Sequence, residues 1–181
     1  MKNYSINIGT GKKQRRELVD RIHTVYRTPH MRGKQRFAKQ SYRNCICAFD
    51  IETTRLPEIE QSIMYLWQFA VLLDDNEIIC VYGRNWNELE ELFTDIEDER
   101  LITMIFVHNL SYEFQFLRSH VEIKPEEVFS LKPRKILRVS AGNHQQGNLE
   151  FRCSYMQTHK SLDKFLSDSG VENQKLKDFD Y

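Results

Sequence analysis

The chain has 181 residues, with 26 Lys or Arg and 26 Asp or Glu, so its formal net charge is zero. This length suits one domain with a sizeable core, and the absence of a signal peptide and of any apolar run of transmembrane length predicts no membrane partner. The four cysteines form no paired framework, which favours buried thiols in a reducing cytoplasm over disulfides.

The charge is unevenly distributed along the chain. Residues 1–45 carry twelve Lys or Arg against two acids, so a basic segment precedes an acidic body, which favours contact with a polyanion. We predict a basic N-terminal arm with a short helix over residues 1–44, followed by a second domain over residues 45–181.

Within this arm, residues 1–13 are polar and we expect them to be mobile. The apolar period from Arg15 to Arg27 predicts an amphipathic helix. The basic stretch 30–44 indicates either a phosphate-backbone contact or a solvated linker, and the scarcity of acids leaves a mitochondrial transit peptide as a minor alternative.

From residue 45 onward the pattern predicts three meandering strands, a helix, a strand, a helix, a hairpin and a last helix. An antiparallel trio followed by a crossover helix into a parallel strand is a mixed α/β sheet. The predicted elements are strands at 45–52, 62–73, 77–82, 101–107, 135–140 and 148–155, and helices at 85–98, 110–120 and 160–169. We expect a loop over 121–133, and Leu162, Phe165 and Leu166 facing inward.

Two acids end the first of these strands. Because alternate side chains of a strand share one face, Asp50 and Glu52 point the same way after the apolar run from Cys45. Two neighbouring carboxylates repel each other unless a cation or a proton lies between them, and oxygen ligands favour Mg2+ or Mn2+ over zinc. The alternative is an ordinary strand end that meets solvent.

Two segments give this acid pair a specific context. Asp50-Ile51-Glu52-Thr53-Thr54 resembles the first exonuclease motif of family B DNA polymerases, and the segment from Phe106 to Phe114 resembles their second motif. The aromatic residue, His-Asn-Leu, aromatic residue and acid of that second segment are most similar to the protein-primed polymerases of phages and linear plasmids. Three closing segments, at 160–166, 175–177 and 178–181, are similar to the segment before their third motif.

The resemblance implies a ribonuclease-H-like α/β domain that removes mispaired nucleotides from the 3′ end of a DNA strand, and it implies the single-stranded 3′ end of DNA as the partner. It implies that Asp50, Glu52 and Glu113 bind two Mg2+ or Mn2+ ions as the catalytic acids. The positions that it implies for holding the DNA terminus are Thr53, Phe106, His108, Asn109 and Tyr112. It also implies a cytoplasmic protein of a phage-infected bacterial host.

The sequence departs from the family pattern in two places. The second motif usually supplies Asp, whereas Glu113 is longer by one methylene, which can alter the metal geometry or lower the activity. The third motif, a Tyr followed four residues later by an Asp, would lie beyond Tyr181, and Tyr155 is not a convincing substitute because we place it in the strand before the last helix. We therefore expect the chain to trim DNA weakly or not at all.

Simpler structural roles remain open for individual residues. His108 or Asn109 could cap the following helix, Tyr112 and Phe114 could belong to the core, and Glu113 could be a surface acid. The leading functional hypothesis is an N-terminal polymerase fragment that carries most of the exonuclease domain. The alternatives are a non-catalytic nucleic-acid- or protein-binding module, such as half of a split polymerase that docks onto a second polypeptide, and a free-standing nuclease.

Overall fold

The computed structural model describes residues 5–25, 41–58, 60–73, 76–142 and 148–170. One large mixed sheet with flanking helices organises these residues. The strands are β1 (Ser5–Thr10), β2 (Ser41–Tyr42), β3 (Ile46–Leu56), β4 (Gln61–Leu72), β5 (Glu77–Gly83), β6 (Leu101–Val107), β7 (Val128–Lys132), β8 (Lys135–Ala141) and β9 (Leu149–Cys153). The helices are α1 (Lys12–Thr24), α2 (Trp86–Ile96), α3 (Leu110–Leu117), α4 (Tyr155–Thr158) and α5 (Leu162–Asp168).

The sheet has the strand order β1-β5-β4-β3-β6-β9-β8-β7, and β2 pairs with the start of β6. Strands β3, β4 and β5 form the predicted antiparallel trio, and β6 lies parallel to β3. Strands β8 and β9 form the predicted second hairpin, and β9 lies parallel to β6. The fold is therefore the expected mixed α/β sheet, consistent with a ribonuclease-H-like architecture.

Helices α1, α2 and α3 contribute buried side chains to the core on one face of this sheet. Phe93 of α2 packs edge-on against Phe49, Phe69 and Phe151, with ring centroids 5.5 to 6.2 Å apart. Alternation along β3 sends Phe49 and its odd-numbered neighbours into this core and sends the even-numbered residues to the opposite face. Because the odd-numbered side chains of β3 are buried in the core, the even-numbered acids must lie on the opposite face of the sheet.

The N-terminal residues differ from the expectation of a mobile polar segment. Strand β1 pairs in parallel with β5, from Ser5 beside Glu77 to Thr10 beside Tyr82. Helix α1 begins at Lys12 and ends at Thr24, three residues before the predicted end, because Val25 is already extended. The division of the chain into an arm and a separate domain stays a prediction.

Buried Arg43 connects α1 to the rest of the fold. Its guanidinium donates to the carbonyl oxygen of Ile22 at 3.0 Å and to the Asp98 carboxylate at 2.9 Å. Because its side chain is 1% exposed, this charge is stabilised by those partners rather than by water. The guanidinium therefore joins the end of α1 to the loop that follows α2.

Three further predictions require correction. Strand β3 continues through Thr53 to Leu56, so the predicted strand end at Glu52 is wrong by four residues. Strand β7 pairs with β8 within the predicted loop 121–133, because a hairpin partner supplies backbone hydrogen bonds that the local sequence does not reveal. On α5, Leu162 and Phe165 are each 40% exposed, so they do not face inward.

Over the described residues, no helix is long and apolar enough to cross a bilayer. Most of the predicted basic loop 30–44, and the closing stretch from residue 171, lie outside the described residues.

Candidate active site

The carboxyl end of β6 and the part of β3 just beyond its pairing with β6 open into a cavity of about 970 Å³, which we call the acid cavity. Parallel strands bring their carboxyl ends to the same edge of a sheet, and this is where ligands collect in folds of this kind. The cavity is lined by residues of β3, of the β6–α3 junction and of the α4–α5 region: Asp50, Ile51, Glu52, Thr53, His108, Asn109, Tyr112, Glu113, Tyr155, Ser161, Leu162, Asp163 and Leu166.

Strand β3 contributes the first two acids. Asp50 and Glu52 are half-buried and share the face opposite Phe49 and Ile51, which are in the core. The register of β3 with β4 shifts between Glu52 and Thr53, so the strand bends where it borders the cavity. The structure thus brings both predicted strand acids into one concave site.

Helix α3 contributes the third acid. Glu113 is only 4% exposed, which excludes the alternative of a surface acid, and no hydrogen-bond partner for its Oε2 lies within the described residues. Burial raises the pKa of Glu113 to about 8, and repulsion from the charge of Asp50 adds to this effect. Without a cation, Glu113 is therefore largely protonated at neutral pH.

The junction between β6 and α3 places His108 and Asn109 on the cavity wall. Nδ1 of His108 lies 3.3 Å from Oγ of Ser154, and burial lowers the pKa of this histidine, so the ring is neutral near pH 7. Asn109 occupies the N-cap position of α3 in the left-handed conformation with φ 67°, but its side chain makes no capping hydrogen bond. Neither side chain therefore acts as a helix cap, and both can face a ligand.

Thr53 and Tyr112 meet across the cavity mouth. Their hydroxyl groups form a hydrogen bond of 2.5 Å, which links the bent part of β3 to the first turn of α3. Tyr112 is 41% exposed, whereas Phe114 packs against the core. The ring of Tyr112 is consequently available to a ligand, and the ring of Phe114 is not.

One predicted site residue lies elsewhere. Phe106 is half-buried on the same sheet face as Asp50, but it lines an adjoining hollow of about 290 Å³ and not the acid cavity. The two spaces share Asp50, His108 and Leu162. The structure therefore places Phe106 beside Asp50 and His108 but apart from the other predicted residues, and a stacking role for its ring stays a prediction.

Several cavity residues were not among the predicted site. Tyr155 begins α4 rather than continuing β9, and it lines the acid cavity beside His108, with ring centroids 5.7 Å apart. Helix α5 and the residue before it border the mouth with Ser161, Leu162, Asp163 and Leu166. The sequence signal for Tyr155 was an aromatic residue shortly after a strand, because the end of a strand that is parallel to a neighbour lies at the sheet edge where ligands bind.

The described residues fit a hard cation in their donor chemistry. Three carboxylates converge on one cavity, and the partnerless Oε2 of Glu113 is a buried oxygen that an ion would satisfy. In the part of the chain that the structure describes, however, no three His, Cys, Asp or Glu side chains already stand at the spacing of ligands around one ion. Coordination of metal ions by these three carboxylates is therefore a proposal.

The mixed sheet with flanking helices, consistent with a ribonuclease-H-like fold, makes this an α/β protein. Its acid-lined cavity lies at one edge of that sheet. No protein-family model and no curated protein matches the sequence. Among solved structures, the chain is similar to Phi29 DNA polymerase complexed with primer-template DNA, with a TM-score of 0.54 and 13% identity over 76% of this chain and 25% of the polymerase. It is also similar to Phi29 DNA polymerase complexed with single-stranded DNA, with a TM-score of 0.53 and 12% identity over 72% and 24% of the two chains.

At this level of identity the likeness shows the fold alone. The chain spans about a quarter of the length of the polymerase chains that it matches.

Proposed function

We propose that this chain is the N-terminal portion of a protein-primed family B DNA polymerase and carries most of its 3′–5′ proofreading exonuclease domain. One observation carries the proposal: acids from two distant motif-like segments, Asp50 and Glu52 on β3 and Glu113 on α3, line the same cavity. The polymerase-related fold supports it independently.

The three acids would hold two Mg2+ or Mn2+ ions. Bound divalent ions lower the pKa of an attacking water and neutralise the charge on the leaving 3′ oxygen. Glu113 must lose its proton to act as a ligand, because burial keeps it largely protonated at neutral pH. The carboxylates alone would repel a phosphodiester, so binding of the reacting phosphate depends on cations.

The remaining residues of the cavity wall would hold the terminal nucleotide. The exposed ring of Tyr112 offers a stacking surface, which tolerates any base and therefore suits proofreading. Its hydrogen bond with Thr53 fixes that ring over the cavity mouth. Asn109 offers an amide that no capping bond occupies, and neutral His108 can exchange a hydrogen bond without adding charge.

The test is digestion of a 5′-labelled single-stranded oligonucleotide with Mn2+ or Mg2+, with and without EDTA. We expect weak trimming from the 3′ end that EDTA abolishes. Asp50→Ala and Glu52→Ala should each abolish the trimming, whereas Glu99→Gln, which removes an exposed acid outside the cavity, should not. If both alanine variants digest DNA as the parent does, the assignment of these acids is wrong.

A second candidate function is a module that binds single-stranded DNA without cleaving it. The lack of a ready three-ligand group within the described residues favours this alternative. Salt-dependent binding to the oligonucleotide with no digestion in either metal would select it. Docking onto a second polypeptide that carries the rest of a polymerase stays a prediction.

A further inference from the structure

The tip of the β7–β8 hairpin carries a cluster of positive charge that the proposed function does not use. Lys132, Arg134 and Lys135 surround the turn at Pro133, and no acid occurs between Val128 and Ala141. Within the described residues, none of these three cations forms an ion pair. We call these three residues the basic tip. Its charge is not neutralised by the described part of the protein.

The basic tip lies directly beside the acid cavity. Its three cations line a hollow of about 220 Å³ whose other walls include Ser111, Ile136 and Met156. Asn109 and Tyr155 line both this hollow and the acid cavity. The two spaces are therefore adjacent compartments with a shared wall, one acidic and one basic.

The hairpin is held in a fixed relation to the acids. The backbone N–H of Ile136 donates a hydrogen bond of 2.8 Å to Oγ of Ser111 in the first turn of α3. The same helix carries Tyr112 and Glu113. Strand β8 is also paired on both sides, with β7 and β9, so the tip is carried by the sheet.

The shared wall also presents an aromatic ring. Tyr155 is 38% exposed and packs edge-on against His108, which leaves part of its ring accessible where the two spaces meet. Cations that follow a phosphate backbone, together with an aromatic ring on which a base can stack, are the elements by which proteins bind single strands without sequence preference.

We propose that the basic tip binds the sugar–phosphate backbone of a single DNA strand upstream of the nucleotide that enters the acid cavity, with Tyr155 stacking on a base between the two. This inference rests on the proposed function, because that function determines which end of the DNA strand enters the acid cavity. The physical reason is electrostatic: the carboxylates of the acid cavity repel phosphates, and the basic tip in the adjoining space supplies an attraction that could retain a strand there.

Binding measured in EDTA tests this proposal without cleavage. A fluorescently labelled single strand of about ten nucleotides is long enough to reach past the cavity. The triple variant Lys132→Gln, Arg134→Gln, Lys135→Gln should bind it roughly ten- to a hundredfold more weakly at low salt, and the slope of log K against log salt should fall in magnitude by about two. Tyr155→Leu should weaken binding roughly tenfold with little change in the salt slope.

The matched control removes the same charge elsewhere. Arg84, Arg100 and Arg118 are exposed, line neither space and form no ion pair within the described residues. Their triple Gln variant should retain affinity and most of the salt slope. Equal circular dichroism spectra and unfolding midpoints establish that both variants fold. Equal loss of binding in the two triple variants would overturn the proposal, and so would unchanged binding in the basic-tip variant.

The nuclease assay separates this inference from the proposed function. If the parent digests DNA, the basic-tip variant should raise KM and leave kcat nearly unchanged. If the parent digests nothing, but only the basic-tip variant loses binding, the exonuclease assignment fails and the binding surface stands. If the parent digests DNA and the basic-tip variant has the parent's KM, the binding surface fails and the exonuclease assignment stands.

Discussion

The carboxyl group of Glu113 on α3 lies within electrostatic range of Asp50 on β3, and its pKa is raised to about 8. Burial contributes most of this rise and the charge of Asp50 adds to it. One residue comes from a strand and the other from a helix that follows the neighbouring strand, so the pair exists only in the folded chain. Two measurable properties follow from this pairing, one of stability and one of metal binding.

The first concerns stability against pH in EDTA. An unfolded glutamate has a pKa near 4.5, whereas that of folded Glu113 is about 8, so between these values the native state holds a proton that the unfolded state has released. The stabilisation from Glu113 is therefore complete below about pH 4.5 and is lost as the pH rises through 8. Each pH unit in this window should lower the free energy of unfolding by up to about 1.4 kcal/mol.

Glu113→Gln should remove that dependence and should be more stable than the parent at pH 8. Urea denaturation at several pH values measures both effects. Glu99→Gln, at an exposed position, is the control and should follow the parent. A parent curve that is flat between pH 5 and 8 would show that Glu113 titrates as an ordinary acid.

The second prediction concerns metal binding. Because Glu113 is mostly protonated at pH 7, binding of Mg2+ or Mn2+ to this carboxylate should release close to one proton. Calorimetry in buffers with different ionisation enthalpies counts the protons released. Glu113→Gln should bind the ions more weakly and release none, and proton release that persists in this variant would assign the metal to other residues.

The third prediction concerns the hydrogen bond between Thr53 and Tyr112. Thr53→Val and Tyr112→Phe each remove one hydroxyl, so a double-mutant cycle on unfolding should give a coupling of about 1 kcal/mol. Since the ring remains in Tyr112→Phe, DNA affinity should fall less than in Tyr112→Leu. Additive single effects in the cycle would indicate that this bond contributes nothing to the fold.

The fourth prediction separates the backbone role of Asn109 from its side-chain role. Its φ of 67° lies in the left-handed region, which glycine adopts freely and alanine does not. The free energy of unfolding of Asn109→Gly should therefore lie within a few tenths of a kcal/mol of the parent value. That of Asn109→Ala should be lower by about 1 kcal/mol. Both variants should lose DNA affinity equally, because both lack the amide. Unchanged affinity in both would restrict Asn109 to the backbone role.

Sequence reasoning found the residues whose placement follows from local periodicity. Alternation along β3 put Asp50 and Glu52 on one face, and the start of α3 after β6 put Glu113 near them. Tyr155 was rejected because we placed it inside the strand, whereas β9 ends at Cys153 and its parallel pairing with β6, which is non-local, brings Tyr155 to the cavity. Strand β7 was missed for the same reason, since only its partner β8 supports an extended chain there.

The exposed apolar side chains of α5 were misjudged for a different reason. A helical period shows which residues share a face, but it does not show whether that face meets the core or a cavity mouth. Leu162 lines the acid cavity instead of filling the core. Phe106 lines the adjoining hollow together with Asp50 and His108, and its role in holding a DNA terminus stays a prediction.

The parallel pairing of β1 with β5 has a practical consequence for protein production. Leu18 and Ile22 of α1 are completely buried in the same core cluster as Ile79 and Val81. Shortening the gene to start at Cys45 would remove these side chains and expose the part of the core that they cover. We expect such a shortened protein to aggregate during expression, while a solubility tag at the amino end would sit only a few residues from a paired strand. Purification handles should therefore be joined to this chain through a flexible spacer, and the first 44 residues should be retained.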